Sequence, residues 1–251
     1  MESQTDFTQL GLSDISLRTI AAKGFETPTP IQQLAIPVIL SQTCDVIGQA
    51  QTGTGKTAAF GLPILDILGK CDGSVVRALA LVPTRELALQ VTDEMLSYQG
   101  GRDIRIITIY GGQSISEQQR RLRKGADIIV GTPGRILDLI GRKDLIIDRV
   151  EWMVLDEADE MLNLGFIEDI EKILSHTPKD KRTLLFSATM PQRIVKLAER
   201  FMVKPRTLSV GLKNQPTTLA DQIYFEVRKS DKFDALTRII DIAVSYTHLT
   251  L

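Results

Sequence analysis

The sequence has few cysteines, few aromatic residues and no long apolar run. Only Cys44 and Cys71 occur among 251 residues, without the spacing of a metal site or a disulfide framework. No run of about 18 apolar residues is present, and residues 1–4 do not begin a signal peptide. These absences argue against a membrane-spanning or secreted protein and favour a reducing, cytoplasmic location.

An excess of charge of one sign is also absent. Lys and Arg number 30 against 31 Asp and Glu, a net charge of -1, so any nucleic-acid surface must be local. The 43% hydrophobic and 24% charged content is ordinary for a folded domain. At about 150 residues per domain, the length predicts one large domain, or one domain with part of a second.

Short apolar, β-prone segments alternate with segments whose apolar residues have helical spacing. This alternation predicts an α/β fold, a mostly parallel sheet with helices on both faces. Ligands of such sheets lie at the carboxyl ends of the strands, so the residues after each strand are candidate site residues. The predicted strands are 45–47, 77–82, 104–110, 127–130, 152–155 and 183–186, and the predicted helices are 57–68, 85–96, 115–122, 135–140, 166–174 and 194–201.

The alternating pattern lapses after about residue 203, where proline, glycine and polar residues accumulate. It resumes with a predicted strand at 222–227 and a predicted helix at 231–242. We therefore expect a first domain over 1–206, a linker over 207–220 and the start of a second, truncated α/β domain over 221–243. Residues 244–251 break the helical pattern and are interpreted as a non-native tail.

A phosphate-binding loop is predicted at residues 50–57, which read AQTGTGKT between a strand and a helix. Gly53 and Gly55 permit a backbone that turns several N–H groups toward phosphate oxygens. Lys56 would reach the β- and γ-phosphates, and the Thr57 hydroxyl would ligate Mg²⁺. A glycine-rich turn can be merely structural, but no structural need explains the lysine.

Acidic residues follow the apolar strand 152–155 abruptly. Asp156 at such a strand end is able to hold Mg²⁺ beside a phosphate loop, usually through water. Glu157 is able to accept a proton from, or to orient, the water that attacks the γ-phosphate. Alternatively, the acids only favour the first turn of the next helix. The neighbouring phosphate loop favours the Mg²⁺ interpretation.

Five further motifs occur in order along the chain. With the phosphate loop and the acidic strand end, they resemble the motifs of the DEAD-box RNA helicases of superfamily 2, over about residues 5–205. The resemblance implies a RecA-like P-loop fold, and alanine at the first loop position is usual in that family. The five motifs are GFETPTPIQ at 24–32, within a Q motif over 5–33 that begins near Phe7, PTREL at 83–87, GG at 111–112, TPGR at 132–135 and SAT at 187–189, and the acidic strand end reads DEAD at 156–159.

The Q motif of this family reads adenine. The Gln32 amide is able to pair with the N6 and N7 edge of the base, Phe25 to stack on it and Thr27 to donate a hydrogen bond. Thr29 and Pro30 also suit the start of a helix that continues to residue 40, and the two roles are compatible. The residues implied to bind ATP are Phe25, Thr27, Gln32, Gln51, Thr52, Gly53, Thr54, Gly55, Lys56 and Thr57.

The resemblance also implies an RNA groove that reads the backbone and carries no base code. Its residues are Pro83, Thr84, Arg85, Gly111, Gly112, Thr132, Pro133, Gly134 and Arg135. Ser187 and Thr189, with Asp159, are implied to couple the nucleotide state to RNA binding, although a helix-capping role is an alternative for the SAT run. The implied catalytic residues are Lys56, Asp156 and Glu157, with Thr57 and Asp156 as Mg²⁺ ligands.

The implied activity is hydrolysis of Mg²⁺-ATP coupled to local unwinding of RNA duplexes or remodelling of ribonucleoproteins. A second RecA-like domain supplies arginine fingers in this family, and no HRxGR-type segment follows residue 220. The chain alone, expected to be a monomer, should bind nucleotide and hydrolyse it poorly. Short loops favour a bacterial member with ribosomal or RNA-degradation partners. The alternatives are a P-loop ATPase acting on DNA or protein, and a non-enzymatic binding module.

Overall fold

The computed structural model describes residues 6–69, 73–210 and 224–244, and it divides into two compact units, Met1–Leu212 and Lys213–Leu251. The first unit is built on a seven-stranded sheet in which every pair of neighbouring strands is parallel. The order is β3-β4-β2-β5-β6-β1-β7. The strands are β1 Val46–Gln49, β2 Ala78–Leu81, β3 Ile106–Ile109, β4 Ile128–Gly131, β5 Trp152–Leu155, β6 Arg182–Ser187 and β7 Arg206–Ser209.

Helices cover both faces of this sheet. One apolar cluster packs α1–α4 on one face, and a second packs α6–α9 on the other. Alternate residues of a strand enter different clusters, as Ala80 and Leu81 of β2 do. The helices are α1 Asp14–Ala22, α2 Pro30–Ser41, α3 Lys56–Leu68, α4 Arg85–Ser97, α5 Ile115–Arg123, α6 Pro133–Gly141, α7 Ala158–Asn163, α8 Ile167–Ser175 and α9 Gln192–Phe201, with a 3₁₀ helix at Phe7–Leu10.

The predicted parallel sheet with helices on both faces is confirmed, and each of the six predicted strands is present. β7 is an addition, because it lies where the sequence pattern lapses into a predicted linker. It pairs with β1 at the edge of the sheet, and only Leu208 among its residues is buried. One buried residue leaves no apolar pattern to find.

The described part of the second unit contains a 3₁₀ helix at Lys229–Asp231 and the helix α10 at Lys232–Val244. The helix confirms the prediction over 231–242. The strand predicted at 222–227 is wrong in its described part, because residues 224–228 are not in a strand. No strand lies among residues 224–244, the described part of this unit. Residues 211–220 of the predicted linker and residues 245–251 of the tail predicted over 244–251 lie outside the described residues, whereas Val244 ends α10.

No helix among the described stretches is both long enough and apolar enough to cross a membrane.

A buried ion pair joins α3 to the segment after α4, and serine hydroxyls at the start of α1 bind to both of its members. Arg102 and Asp66 form this pair, and both side chains are almost fully buried. The Asp66 carboxylate also accepts hydrogen bonds from the hydroxyls of Ser13 and Ser16, both at 2.7 Å. Arg102 donates to the same two hydroxyls at 2.9 and 3.0 Å. The network anchors the N-terminal helix to the helix that follows the phosphate loop.

We expect Arg102→Met to lower the free energy of unfolding by about 3–5 kcal/mol, because it leaves a buried carboxylate without its cation. Asp66→Asn combined with Arg102→Met should cost less, since the uncompensated charge is then removed. Urea titration monitored by the fluorescence of Trp152, the lone tryptophan, would measure both. Arg142→Met is a matched control, because Arg142 forms an exposed pair with Asp138. An equal loss in this control would contradict the role of the buried pair.

Candidate functional site

The phosphate loop joins β1 to α3 at the carboxyl edge of the sheet. Gly53 and Gly55 have φ angles of 80° and 81°, in the left-handed region that glycine adopts without strain. Gly55 is the residue before α3, so the loop delivers its N–H groups to the positive end of that helix. Both glycines therefore have the left-handed backbone that their residue type permits, and phosphate binding by the loop stays a prediction.

Gln32 connects the N-terminus of α2 to the phosphate loop. Its side-chain oxygen accepts a hydrogen bond from the Thr29 backbone N–H at 3.0 Å, and its side-chain nitrogen donates to the Gly55 carbonyl at 3.1 Å. Gln32 is buried, and Pro30 opens the helix as predicted. An amide side chain has two donor hydrogens and two acceptor lone pairs, so one of each remains after these two bonds.

Lys56 and Asp156 are buried beside each other at the strand ends. The two residues are 6% and 3% exposed, and the Lys56 ammonium donates to the Ala50 carbonyl at 3.4 Å. Burial raises the pKa of Asp156 to about 6, although the Lys56 charge opposes this rise. Thr57 is buried next along the chain. The Asp156 carboxylate, the Lys56 ammonium and the Thr57 hydroxyl therefore lie near the N-terminus of α3.

Glu157 contacts the phosphate loop from the other side. Its carboxylate accepts a hydrogen bond from the Thr52 hydroxyl at 3.3 Å. The residue has φ 52° and ψ 51°, a left-handed conformation at the start of α7. This backbone conformation is strained for residues other than glycine, and residues with such strain cluster at functional sites.

Asp159 and the SAT run form a compact hydrogen-bonded unit. The Asp159 carboxylate accepts from the backbone N–H and the hydroxyl of Thr189, both at 2.8 Å. The Ser187 hydroxyl accepts from the Asp159 N–H at 3.2 Å and donates to the Thr189 carbonyl at 2.7 Å. Burial would raise the pKa of Asp159, but the bonds from Thr189 and Ser187 outweigh it and hold this pKa below its ordinary value.

The end of β6, where the SAT run begins, is hydrogen-bonded to the phosphate loop through the backbone. The Ala50 N–H donates to the Ser187 carbonyl at 3.1 Å. The Gln49 side chain donates to the Ala188 carbonyl at 3.5 Å, a contact that the sequence reasoning missed. Hydrogen bonds thus link the Q motif, the phosphate loop, the acidic run and the SAT run into one assembly.

The residues predicted to contact RNA form a second group, at the carboxyl ends of β2, β3 and β4. The Arg85 guanidinium lies 5.0 Å from the centre of the Tyr110 ring. Arg135 donates to the Gln113 carbonyl at 3.1 Å. The GG motif lies between these contacts, and its two glycines are exposed, with Gly112 at φ 82°. Two arginines therefore converge on the loop that contains the GG motif.

The remaining members of this group shape helix starts. The Thr84 hydroxyl accepts from the Leu87 N–H at 3.2 Å and caps α4. Thr132 precedes α6, and Pro133 occupies its first turn. Pro83 is buried, whereas Gly134 is exposed. Capping is thus a structural duty that these residues have in addition to the predicted one.

The sequence reasoning also missed Gln118, which anchors the loop that contains the GG motif. Its buried amide nitrogen donates to the Tyr110 carbonyl at 2.8 Å and to the Gln113 side chain at 3.1 Å. The available signal was its position, because Gln118 falls between Ile115 and Leu122 on the inward face of α5.

Phe25 and Thr27 are the predicted adenine contacts in the segment that precedes α2. Both are exposed, and the Lys23 ammonium lies 5.9 Å from the centre of the Phe25 ring. Within the described residues, neither has a hydrogen bond to residues 50–57. The described residues also contain no cluster of three or more His, Cys, Asp or Glu suited to a metal.

Comparison with known proteins matches residues 29–197 to the DEAD/DEAH box helicase family. The DEAD-box ATP-dependent RNA helicase CshA of Geobacillus kaustophilus is 53% identical over 238 residues, which are 95% of this chain and 50% of that protein. The ATP-dependent RNA helicase CshA of Listeria monocytogenes is 48% identical, over 95% of this chain and 45% of that protein. The chain thus spans about half the length of the curated relatives it matches.

The solved structures agree. A DEAD box protein from Methanococcus jannaschii has a TM-score of 0.79 and 45% identity, over 94% of this chain and 63% of that chain. This likeness confirms the predicted RecA-like fold. The matched residues contain the phosphate loop, the DEAD run and the SAT run, whose side chains and backbone are hydrogen-bonded together. The chain therefore belongs to the DEAD/DEAH box helicase family.

Proposed function

We propose that this chain is the ATP-binding half of an ATP-dependent RNA helicase. The observation that carries the proposal is the hydrogen-bonded assembly of Gln32, the phosphate loop, residues 156–159 and residues 187–189 at one edge of the sheet. The names of the relatives support the same activity. A cytoplasmic location suits the cysteine usage.

The proposed nucleotide site places the phosphates on the loop and the N-terminus of α3. Lys56 supplies the cation that the phosphates need, and the loop supplies N–H donors. Gln32 is proposed to read the adenine edge with its remaining donor and acceptor, and Phe25 and Thr27 to complete the base pocket. Both residues are exposed and therefore accessible to a bound base.

The residues present fit Mg²⁺, which prefers oxygen ligands and often keeps several waters. Thr57 and Asp156 would hold it with the nucleotide phosphates, so a three-residue metal cluster is not needed. When bound, Mg²⁺ neutralises charge on the transferring phosphoryl group. Glu157 is proposed to orient and deprotonate the attacking water.

We propose that RNA lies along the second group, which includes Arg85, Gly112 and Arg135. Guanidinium groups and exposed glycine N–H groups suit phosphate and 2′-hydroxyl partners. The Asp159–Thr189 unit joins the DEAD run to the end of β6, and we propose that it relays the nucleotide state toward this RNA surface. The RNA-binding role is thus independent of base sequence.

The first prediction concerns nucleotide binding. Wild-type chain should bind Mg²⁺-ATP more tightly than Mg²⁺-GTP, and Lys56→Ala should weaken ATP binding by about ten- to a hundredfold, because a charge-assisted bond to phosphate is lost. Equilibrium titration with fluorescent nucleotides, with circular dichroism to check folding, would measure this. Lys179→Ala, at an exposed lysine, is the control. Equal affinity for GTP would contradict the Gln32 assignment.

The second prediction concerns the cost of burying Asp156. Its pKa of about 6 in the folded chain exceeds the value of about 3.9 in an unfolded chain. At low pH the buried Asp156 carboxyl is neutral, and its burial costs little stability. As the pH rises through about 6 the carboxyl becomes charged, and the free energy of unfolding falls. Asp156→Asn should therefore be stabilising without Mg²⁺ or nucleotide, by about 1–2 kcal/mol more at pH 8 than at pH 5. Urea titration of both proteins at the two pH values would measure this difference, and a pH-independent difference would refute the proposed burial cost.

The third prediction concerns activity of the 251 residues alone. Arginine fingers from a second domain contribute about 10³- to 10⁵-fold to the rate of related reactions. We expect the isolated chain to bind nucleotide, to hydrolyse ATP slowly and to separate no RNA duplex. A strand-displacement assay with a labelled RNA duplex would test this, and robust ATP-dependent unwinding would overturn it.

A further inference from the structure

Two adjoining cavities open at the amino ends of the strands, the edge opposite the candidate site. The larger, of about 610 Å³, lies beneath the residues that precede β1, β2, β5 and β6. The smaller, of about 410 Å³, lies beneath those that precede β2, β4 and β5. Val75, Asp148 and Arg149 line both cavities. Because they share these residues, the two cavities are together named the amino-edge groove.

Lys181 is the most unusual residue of the amino-edge groove. It is only 8% exposed, and its ammonium donates to the Pro178 carbonyl at 3.2 Å. Burial lowers the pKa of Lys181, while the charges of Asp45 and Asp180 oppose this. An ammonium has three donor hydrogens, and among the described residues Pro178 is its one hydrogen-bond partner. A buried cation in this state is stabilised by an anionic group that enters the groove.

Two further cations line the same half of the groove. Arg149 and Arg182 form no ion pair within the described residues, whereas Arg77 is held by Glu151 at 2.8 Å. The exposed carboxylates of Asp148 and Asp180 also line this half. Three cations without ion pairs therefore face two such acids, a small positive excess. This excess suits a single carboxylate and is too small for a polyanion such as an RNA backbone.

The other half of the groove exposes aliphatic side chains, beside the charged residues Asp144, Asp148 and Arg149. Ile146 is 67% exposed and Val75 is 43% exposed, and Val76, Leu122 and Leu145 lie around the cavity between them. Exposed aliphatic side chains beside a cavity gain free energy when an apolar partner covers them. A small inorganic anion would use the cationic half and leave this half uncovered.

We propose that the amino-edge groove binds a peptide segment of a protein partner in which an acidic side chain lies close to a large aliphatic side chain. The acidic side chain meets Lys181, Arg149 and Arg182, and the aliphatic side chain covers Val75 and Ile146. An extended segment reaches both halves because they share Val75, Asp148 and Arg149. The site is remote from the phosphate loop and does not depend on nucleotide.

The test uses the full chain and a displayed library of random dodecapeptides. We expect the enriched sequences to share an acidic residue and a nearby large aliphatic residue. A synthetic peptide with one enriched sequence is then titrated in fluorescence anisotropy. Arg149→Glu and Ile146→Ser should each weaken its binding about tenfold or more, since each removes a central contact. Both residues are exposed, so neither change threatens folding. Lys181→Met should have a similar effect.

Arg142→Glu is the matched control, because it makes the same change of charge at an exposed position outside the groove. Binding should be unchanged in this control, in Lys56→Ala and in saturating Mg²⁺-ATP, which separates the groove from the nucleotide site. The proposal would be overturned if no peptide were enriched, if the enriched peptides lacked an acidic residue, or if the groove variants bound the peptide as tightly as the wild type. So would Lys181-dependent binding of inorganic phosphate without any peptide, which would define a small-anion site.

Discussion

The burial of Lys56 beside Asp156 is the constraint around which the carboxyl edge of the sheet is organised. Two charges removed from water need each other and further polar partners. The strand order β5-β6-β1 supplies them, because Asp156 follows β5, the phosphate loop follows β1, and Ser187 ends the strand between them. The SAT run therefore lies within reach of both motifs because of the topology.

Gln32 shows how the local structure of one helix reaches the chemistry of another. The same amide that holds the start of α2, through Thr29, also binds the Gly55 carbonyl of the phosphate loop. A nucleotide that engages this amide must share it with, or take it from, the loop. In the proposed nucleotide site, adenine recognition and loop conformation would therefore be coupled, because both use the Gln32 amide.

The sequence predicted the parts of the fold that leave a periodic pattern, such as the strands buried on both faces. It named candidate site residues from their type and motif, both where no structural duty explains them, as for Lys56, and where one does, as for Gln32 and Thr84. β7 could not be predicted, because Leu208 alone is buried in it. Gln118 was missed because one polar residue on the apolar face of α5 is ordinary in a sequence, and its role depends on the loop packed beside it. The strand predicted at 222–227 had alternation, but pairing needs a neighbouring strand.

Three buried aspartates show how the two edges of the sheet divide stability and function. Asp45 accepts N–H groups from Thr183 and Val203, and Asp127 accepts them from Gly73 and Arg105, all within 2.9 Å. Among the described residues, Asp156 accepts one N–H, that of Glu157 at 3.0 Å. The first two carboxylates, at the amino edge, have both oxygens hydrogen-bonded and hold loops together. Asp156, at the carboxyl edge and next to the left-handed residue Glu157, has fewer structural bonds, which suits the ligand role proposed for it.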